Sequence, residues 1–447
     1  MKQQTGLRGI ATALSLALAT ACAPAALAQD KQPPITIVIN QSPWFAGFRG
    51  AVEAYEAETG NTVDLDVNPF AGSLEKQRAA VRSGESPFDI LIINAGFFIE
   101  MYEGGFLTPL TDIDAAFKLD PEVYTFDDTV YYDGETKLLD AQNGKLMTVP
   151  INPNIPLLYY RKDLYDADGL TVPTTLEELY DNAVKLNNPP ARYGIVQRGA
   201  RETFAVTYEF FPYLWGFGGD IFKDAKGGDF SVVINSPESK AALDFWLKLA
   251  KDAGHPNTGA QSQADIIQAM LTQKAGHIVV VIAAFAQMDD PNKSAVVDLV
   301  DYAVAPAAEG HKPAAPLGHW LGGIPRNIPE AQKKAALAFL DWFQGYDAQV
   351  AYAEAGGPPV RQDVMRSDLA NEKPYRWMTA LADALPNARI TFTTKEASEI
   401  LAVTELRLNQ AATGELTSAE AVNTMATEIS EIMTRAGYDA PTLPPIE

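Results

Sequence analysis

A single cysteine, Cys22, occurs in the 447-residue chain. It sits in a stretch with the marks of a cleaved leader. Lys2 and Arg8 supply the positive end, Ile10 to Ala21 is apolar or small throughout, and Ala26-Leu27-Ala28 gives a small-x-small cleavage pattern. Residues 1–28 are therefore expected to be a signal peptide, with the mature chain starting at Gln29. Ala19-Thr20-Ala21 lacks the Leu expected before an acylated cysteine. Loss of the leader removes the only thiol, which excludes a disulfide framework and a cysteine nucleophile. Histidine is scarce too, with four in the chain. His255, His277, His311 and His319 show no metal-ligand spacing, and there is no HExxH helix. Asp166-Ala167-Asp168-Gly169 begins like a calcium loop, but its glycine comes too early. No metal and no cofactor are expected. GxSxG and phosphate-loop patterns are also missing. After the leader no apolar run is long enough to cross a bilayer; Ile278 to Ala286 has the length of a buried strand. Positive charge is in deficit, with 35 Lys and Arg against 57 Asp and Glu and a formal charge of −22. Nucleic acid and anionic lipid are thereby excluded as partners.

What remains exceeds the roughly 250–300 residues at which one core stops growing, so two domains are expected. The first part alternates strand and helix. Ile35 to Ile39 reads as a strand, Phe48 to Glu58 as a helix stopped by Gly60, Thr62 to Val67 as a strand, Glu75 to Arg82 as a helix, and Ser86 to Ile93 as a strand. Such repetition predicts a parallel sheet, with ligands bound beyond the carboxyl ends of its strands. Asn143-Gly144 predicts a hairpin turn between Leu138 and Met147.

The stretch Pro150 to Leu186 organises the rest. Leu157-Leu158-Tyr159-Tyr160 predicts a strand buried on both faces. Thr175 and Glu178 have capping-box spacing, and Leu179, Ala183 and Leu186 form one helical stripe. Further on, Ser236 caps a helix, Gln261 to Thr272 is helical, and His277 to Phe285 and Val300 to Val304 are strands. Glu330 to Trp342 is an amphipathic helix, and the chain is helical to about Gly437, with a loose tail after Pro441.

Several blocks resemble the extracellular solute-binding proteins that serve ABC importers of sugars, the maltose-binding-protein-like group. Tyr160-Arg161-Lys162-Asp163-Leu164, Gly169-Leu170, Pro173 and Thr175-Leu176-Glu177-Glu178-Leu179 form the longest. Arg161 and Leu176 replace that family's usual Asn and Trp. Thr59-Gly60, Phe88-Asp89-Ile90, Gly105-Phe106-Leu107-Thr108-Pro109-Leu110, Gly218-Gly219-Asp220, Gly322-Gly323 and Gly356-Gly357-Pro358-Pro359-Val360-Arg361 are similar too. The resemblance implies an α/β, two-lobe periplasmic binding protein fold of type II with three hinge crossings. Each lobe would be a mainly parallel sheet flanked by helices. The first lobe would hold residues 29–149 and 316–346, and the second 150–315 and 347–447. Crossings are expected near Pro150, Pro316 and Gly345 to Asp347.

The resemblance also implies a periplasmic monomer that captures a sugar, oligosaccharide or sugar alcohol by hinge closure and hands it unchanged to a membrane permease. A sugar has apolar C–H faces and a hydroxyl rim, which aromatic rings and polar groups satisfy respectively. Trp44, Phe45, Phe70, Trp215 and Trp320, read as loop residues at strand ends, are the candidate stacking groups, together with Phe285. Asn94, Asp220, His319 and Arg361 are the candidate rim partners, and Gly218-Gly219 permits close backbone approach. Two alternatives stay open. One is the same fold with another solute, such as a polyamine or an acidic sugar, for which His319 and Arg361 would matter most. The other is a secreted carbohydrate-active enzyme using two carboxylates.

Overall fold

The computed structural model describes residues 31–202 and 204–447. The signal-peptide features at residues 1–28, Cys22 included, lie outside the described residues.

The first lobe opens with the predicted alternation. Strand β1 (Ile35–Asn40) leads into helix α1 (Phe45–Thr59), then β2 (Val63–Asn68), α2 (Phe70–Arg82) and β3 (Ile90–Asn94). Gly60 ends α1 in the left-handed region at φ 70°, a conformation that costs glycine nothing. Both helices begin earlier than their apolar periodicity predicts. Phe45 and Phe70 are therefore first residues of helices rather than loop residues.

Strand β4 (Thr148–Asn152) closes this part of the chain, and β5 (Pro156–Arg161) opens the second lobe. Helix α3 (Leu176–Leu186) carries the predicted capping box: the Glu178 amide donates to the Thr175 hydroxyl at 3.2 Å, and its carboxylate accepts from the Thr175 amide. There follow β6 (Tyr193–Ile195), α4 (Val206–Gly216), α5 (Pro237–Ala253), capped by Ser236, α6 (Gln263–Leu271) and β7 (Ala275–Val281). The aromatic run around Phe210 and Trp215 is helical, despite Pro212, because α4 is buried all round. Next are β8 (Val300–Ala303), β9 (Trp320–Gly323), α7 (Glu330–Phe343), α8 (Tyr346–Glu354), α9 (Trp377–Ala384), α10 (Ala397–Thr413) and α11 (Ser418–Arg435).

Two sheets result. The first has the order β2-β1-β3-β9-β4 and the second β8-β5-β7-β6. β1, β2 and β3 are parallel, while β9 runs antiparallel to both β3 and β4. In the second sheet β5 is antiparallel to β7 and β8, and β6 is parallel to β7. Both sheets are thus mixed. The returning strand β9 inserts between β3 and β4 and faces the opposite way from both.

Asn143-Gly144 does not make a two-residue hairpin. Tyr131–Tyr132 pairs with Lys145–Leu146, and the Gly144 amide closes a turn onto the Asp140 carbonyl. The Asp140 carboxylate takes the amides of Gln142 and Asn143, which stabilises the longer loop.

The passage expected at Gly345 to Asp347 lies elsewhere. Helix α8 packs along α1, and the Tyr352 hydroxyl accepts from Asn152 at 2.8 Å. Arg361 bridges to Val123 and pairs with Asp120, still in the first lobe. Helix α9 is the next to pack on β5 and β8 of the second sheet. The third passage therefore falls between Met365 and Trp377, and Gly345 only turns the chain between two helices of one lobe. Close backbone approach makes this possible: a Cβ on Gly47 would lie 2.3 Å from the Gly357 amide nitrogen. Gly47→Ala is expected to destabilise the protein by about 1–3 kcal/mol through overpacking, even though alanine gains ~1 kcal/mol over glycine inside a helix. Urea denaturation measures it; an unchanged or raised midpoint would refute this packing account.

Candidate ligand-binding cleft

The carboxyl ends of β1, β2 and β3 point to the seam between the lobes, where a cavity of about 250 Å³ opens. Its first-lobe wall is the segment Asn40-Gln41-Ser42-Pro43-Trp44 after β1, with Phe70, Asn94 and Trp320. Asn94 and Trp320 are cross-strand partners in the β3–β9 pairing. The second-lobe wall includes Arg198, Glu202, Phe204, Tyr208 and Gln263. The floor is made by the crossing segments. The Gly318 amide donates to the Asn154 carbonyl at 2.9 Å, and the Tyr208 hydroxyl donates to the Leu317 carbonyl at 3.0 Å. A Cβ on Gly318 would lie 2.8 Å from that Asn154 oxygen, so glycine is needed for the approach.

The rings form one continuous surface. Trp44 and Trp320 lie 5.6 Å apart, and Phe70 meets Trp320 edge-on at 5.9 Å. Phe204 meets Phe70 across the cleft at 5.9 Å and Tyr208 at 5.0 Å. Such tilted and edge contacts are the favoured aromatic geometry. Phe204 holds φ at 63°, a backbone setting unusual for a bulky residue.

Several lining residues also carry buried polar atoms without partners. Asn40 Oδ1, Ser42 Oγ, Trp44 Nε1, Asn154 Oδ1 and Arg198 Nε are buried and make no hydrogen bond within the protein. Arg198 is 8% exposed and donates through one terminal nitrogen to Gln263 at 2.9 Å. Buried polar groups left unpaired cost roughly 1–3 kcal/mol each.

Behind Arg198 lie the buried carboxyl groups of Glu209 and Glu405. Burial raises both to about 8, and the attraction of Arg198 opposes the rise. Burial likewise lowers the Arg198 guanidinium, against the pull of Glu209 and Glu405.

Trp44, Phe70, Asn94 and Trp320 thus meet in the cleft. The other candidates stand elsewhere. Phe45 is buried in α1 beneath the Arg49 guanidinium. The Trp215 indole donates to Asp220, whose carboxylate also pairs with Arg389, away from the cleft. Gly218 and Gly219 turn the chain against His311 and Ser239. Phe285 is not a strand residue, because β7 ends at Val281; it begins a short helix and stacks on Trp377 at 4.1 Å. His319 is fully buried, paired through Nε2 with the Thr129 hydroxyl at 2.9 Å and held neutral, its pKa lowered by burial to about 3. Arg361 is engaged by Asp363 and Asp120 in the first lobe. Neither His319 nor Arg361 lines this cavity.

Asn40, Ser42, Arg198, Phe204 and Tyr208 were not foreseen. Arg198 was within reach of the strand-end rule, since Gln197-Arg198 follows β6, which runs parallel to β7. Asn40 to Ser42 sits in a loop already marked, where attention went to the rings. Among the described residues no group of His, Cys, Asp or Glu could hold a metal ion, and no helix is long and apolar enough to cross a membrane.

Two lobes joined by crossing segments, with a ring-lined polar cleft between them, define a two-lobe solute-binding protein. The chain belongs to the bacterial extracellular solute-binding protein family, whose description matches residues 39–350. It is 28% identical over 285 residues to the mannitol-binding protein of Pseudomonas aeruginosa, covering 61% of this chain and 60% of that protein. It is 27% identical over 192 residues to the sn-glycerol-3-phosphate-binding periplasmic protein UgpB of Agrobacterium fabrum, covering 42% of each. The chain thus spans about three fifths or less of the length of these curated relatives. An ABC transporter solute-binding protein from Agrobacterium radiobacter K84, solved with ribitol, shares the fold, with a TM-score of 0.76 at 23% identity. That likeness covers 91% of this chain and 99% of the other.

The buried carboxyl pair generates a pH dependence. Both groups stay protonated in the fold to about pH 8, whereas in the unfolded chain they ionise near 4.5. Their contribution to stability is full below about pH 4.5 and is lost as pH rises through 8. The loss is on the order of 3–5 kcal/mol per carboxyl. Urea midpoints between pH 5 and 9 are expected to fall more steeply for the wild type than for Glu209→Gln or Glu405→Gln. Parallel curves would refute the assignment.

Proposed function

We propose that the protein is the periplasmic binding component of an ABC importer and that its ligand is a small polyol or monosaccharide. The carrying observation is the cavity itself: rings for C–H faces and polar side chains for hydroxyls line one seam. A volume of about 250 Å³ sits at or below the low end of the roughly 300–1,000 Å³ usual for ligand sites. That favours a single sugar or acyclic polyol over an oligosaccharide. The mannitol and ribitol named for two of the relatives are of this class.

Ligand bridging both walls stabilises the arrangement in which Phe70 touches Phe204 and Asp127 pairs with Lys226. Affinity for that state over an open one drives closure about the crossing segments. The lobes on this reading are 31–152 with 320–365, and 156–303 with 377–447. The closed form then presents both lobes to a membrane permease, and the ligand leaves chemically unchanged. An N-terminal signal peptide places the protein outside the cytoplasmic membrane.

A thermal-shift screen of pentitols, hexitols and monosaccharides tests this. A ligand at a thousandfold its Kd adds about 4 kcal/mol, so at least one compound should raise Tm by several degrees and be recovered intact. Trp320→Ala should weaken that ligand at least a hundredfold in calorimetric titration while the circular dichroism spectrum is kept. Recovery of a hydrolysed or oxidised product, or undiminished affinity in Trp320→Ala, would refute the reading.

A further inference from the structure

A second cavity, of about 370 Å³, adjoins the candidate cleft. Phe70, Glu202 and Phe204 line both. Beyond them the second cavity is walled by Leu74 and Phe97 of the first lobe and by Ser398, Leu401 and Ala402 on α10 of the second. It therefore continues the same interlobe seam, on the other side of two rings.

Phe204 is the partition. Its ring reaches from the second lobe onto the backbone of the first at Gly96, where an added Cβ would lie 1.9 Å from Phe204 Cζ. Glycine at 96 gives the ring its seat. The ring also meets Phe70 of the first lobe edge-on at 5.9 Å and Tyr208 of its own lobe at 5.0 Å. Phe70 and Phe204 are both half-buried, so each keeps surface that a ligand can touch. Phe204 holds this place at φ 63°, a left-handed setting that strains a bulky residue. Strain of this kind concentrates at ligand clamps and switch regions. The space behind the partition has the chemistry for a further sugar unit, with the Phe97 ring for a C–H face and Arg201 and Ser398 for hydroxyls.

We infer that Phe204, seated on Gly96 and backed by Phe70, closes one end of the ligand site and sets ligand length. One sugar ring or one acyclic polyol fits in front of it, and the second unit of a disaccharide is turned away from a cavity that would otherwise hold it. This rests on the interlobe cleft being the ligand site, and adds the residue that limits it.

Calorimetric titration of the mature protein with matched pairs tests the limit: D-glucose against maltose and cellobiose, D-galactose against lactose and melibiose, D-glucitol against maltitol, and D-mannitol against its 1-O-α-D-glucoside. The unit that binds should do so at least a hundredfold more tightly than its disaccharide. Phe204→Gly and Phe204→Asn remove the ring while suiting a positive φ. In both, the ratio should move at least tenfold toward the disaccharide. Adding Ala402→Trp, which refills the second cavity from an exposed position on α10, should reverse that gain at least threefold. A wild type that binds a disaccharide as tightly as its unit overturns the inference, and this measure does not depend on any variant folding. An unchanged ratio in both variants overturns it too, as does loss of every ligand in both with the circular dichroism spectrum kept, or a gain that Ala402→Trp leaves untouched. All of these leave the solute-binding reading intact. Absence of wild-type binding to every compound, extended to the full polyol and monosaccharide library, instead sinks the cleft assignment and the inference with it.

Discussion

The hydrogen bond from the Gly318 amide to the Asn154 carbonyl is the contact on which the architecture turns. It joins the two segments that carry the chain between sheets, one leaving the first lobe after β4 and one returning before β9. Because they lie side by side, β9 enters the first sheet between β3 and β4, and Trp320 is delivered opposite Asn94. The same pair of segments lays the floor of the cavity. A side chain at Gly318 would push them apart and displace both the floor and the ring surface.

From that floor the two walls rise with different chemistry. The first-lobe wall is assembled from strand ends, with Asn40 closing β1, Asn94 closing β3 and Trp320 opening β9, and from the segment after β1 that carries Ser42 and Trp44. The second-lobe wall is built on α4 and the segment preceding it, with charged groups buried in its support. Arg198, Glu209 and Glu405 cost stability as an isolated buried set.

Local signals in the sequence had local causes, and those survived. Thr175 with Glu178, Ser236, and Gly60 each act through the backbone within a few residues, so spacing alone located them. The β–α alternation up to Asn94 was equally legible, since period-2 and buried runs are set by the sheet each strand joins. Trp44, Phe70, Asn94 and Trp320 were placed near one crevice by the strand-end rule. The same rule was not carried to the second lobe, where β6 is only three residues long and gives little pattern to read. Trp215, Phe285 and His319 looked like site residues because rings and imidazoles serve cores and ligands alike; their position away from the cavity separates the two uses. The third passage was misplaced because Gly345 has the composition of a linker, whereas the Gly47–Gly357 approach that holds α8 on α1 joins positions some three hundred residues apart.

The sequence by itself determined the class of fold, the capped helices, the family and four residues of the cavity wall, Trp44, Phe70, Asn94 and Trp320, because hydrophobic period, capping and strand ends are written in neighbouring residues. Only the tertiary structure decided which polar residues line the cavity. Asn40 and Asn154, Arg198 and its carboxyl partners are ordinary residues in ordinary loops and helices until the two sheets are set face to face. Pairing, burial and orphaned hydrogen-bonding atoms are properties of that juxtaposition, and long-range contacts of this kind leave no periodic trace in the chain.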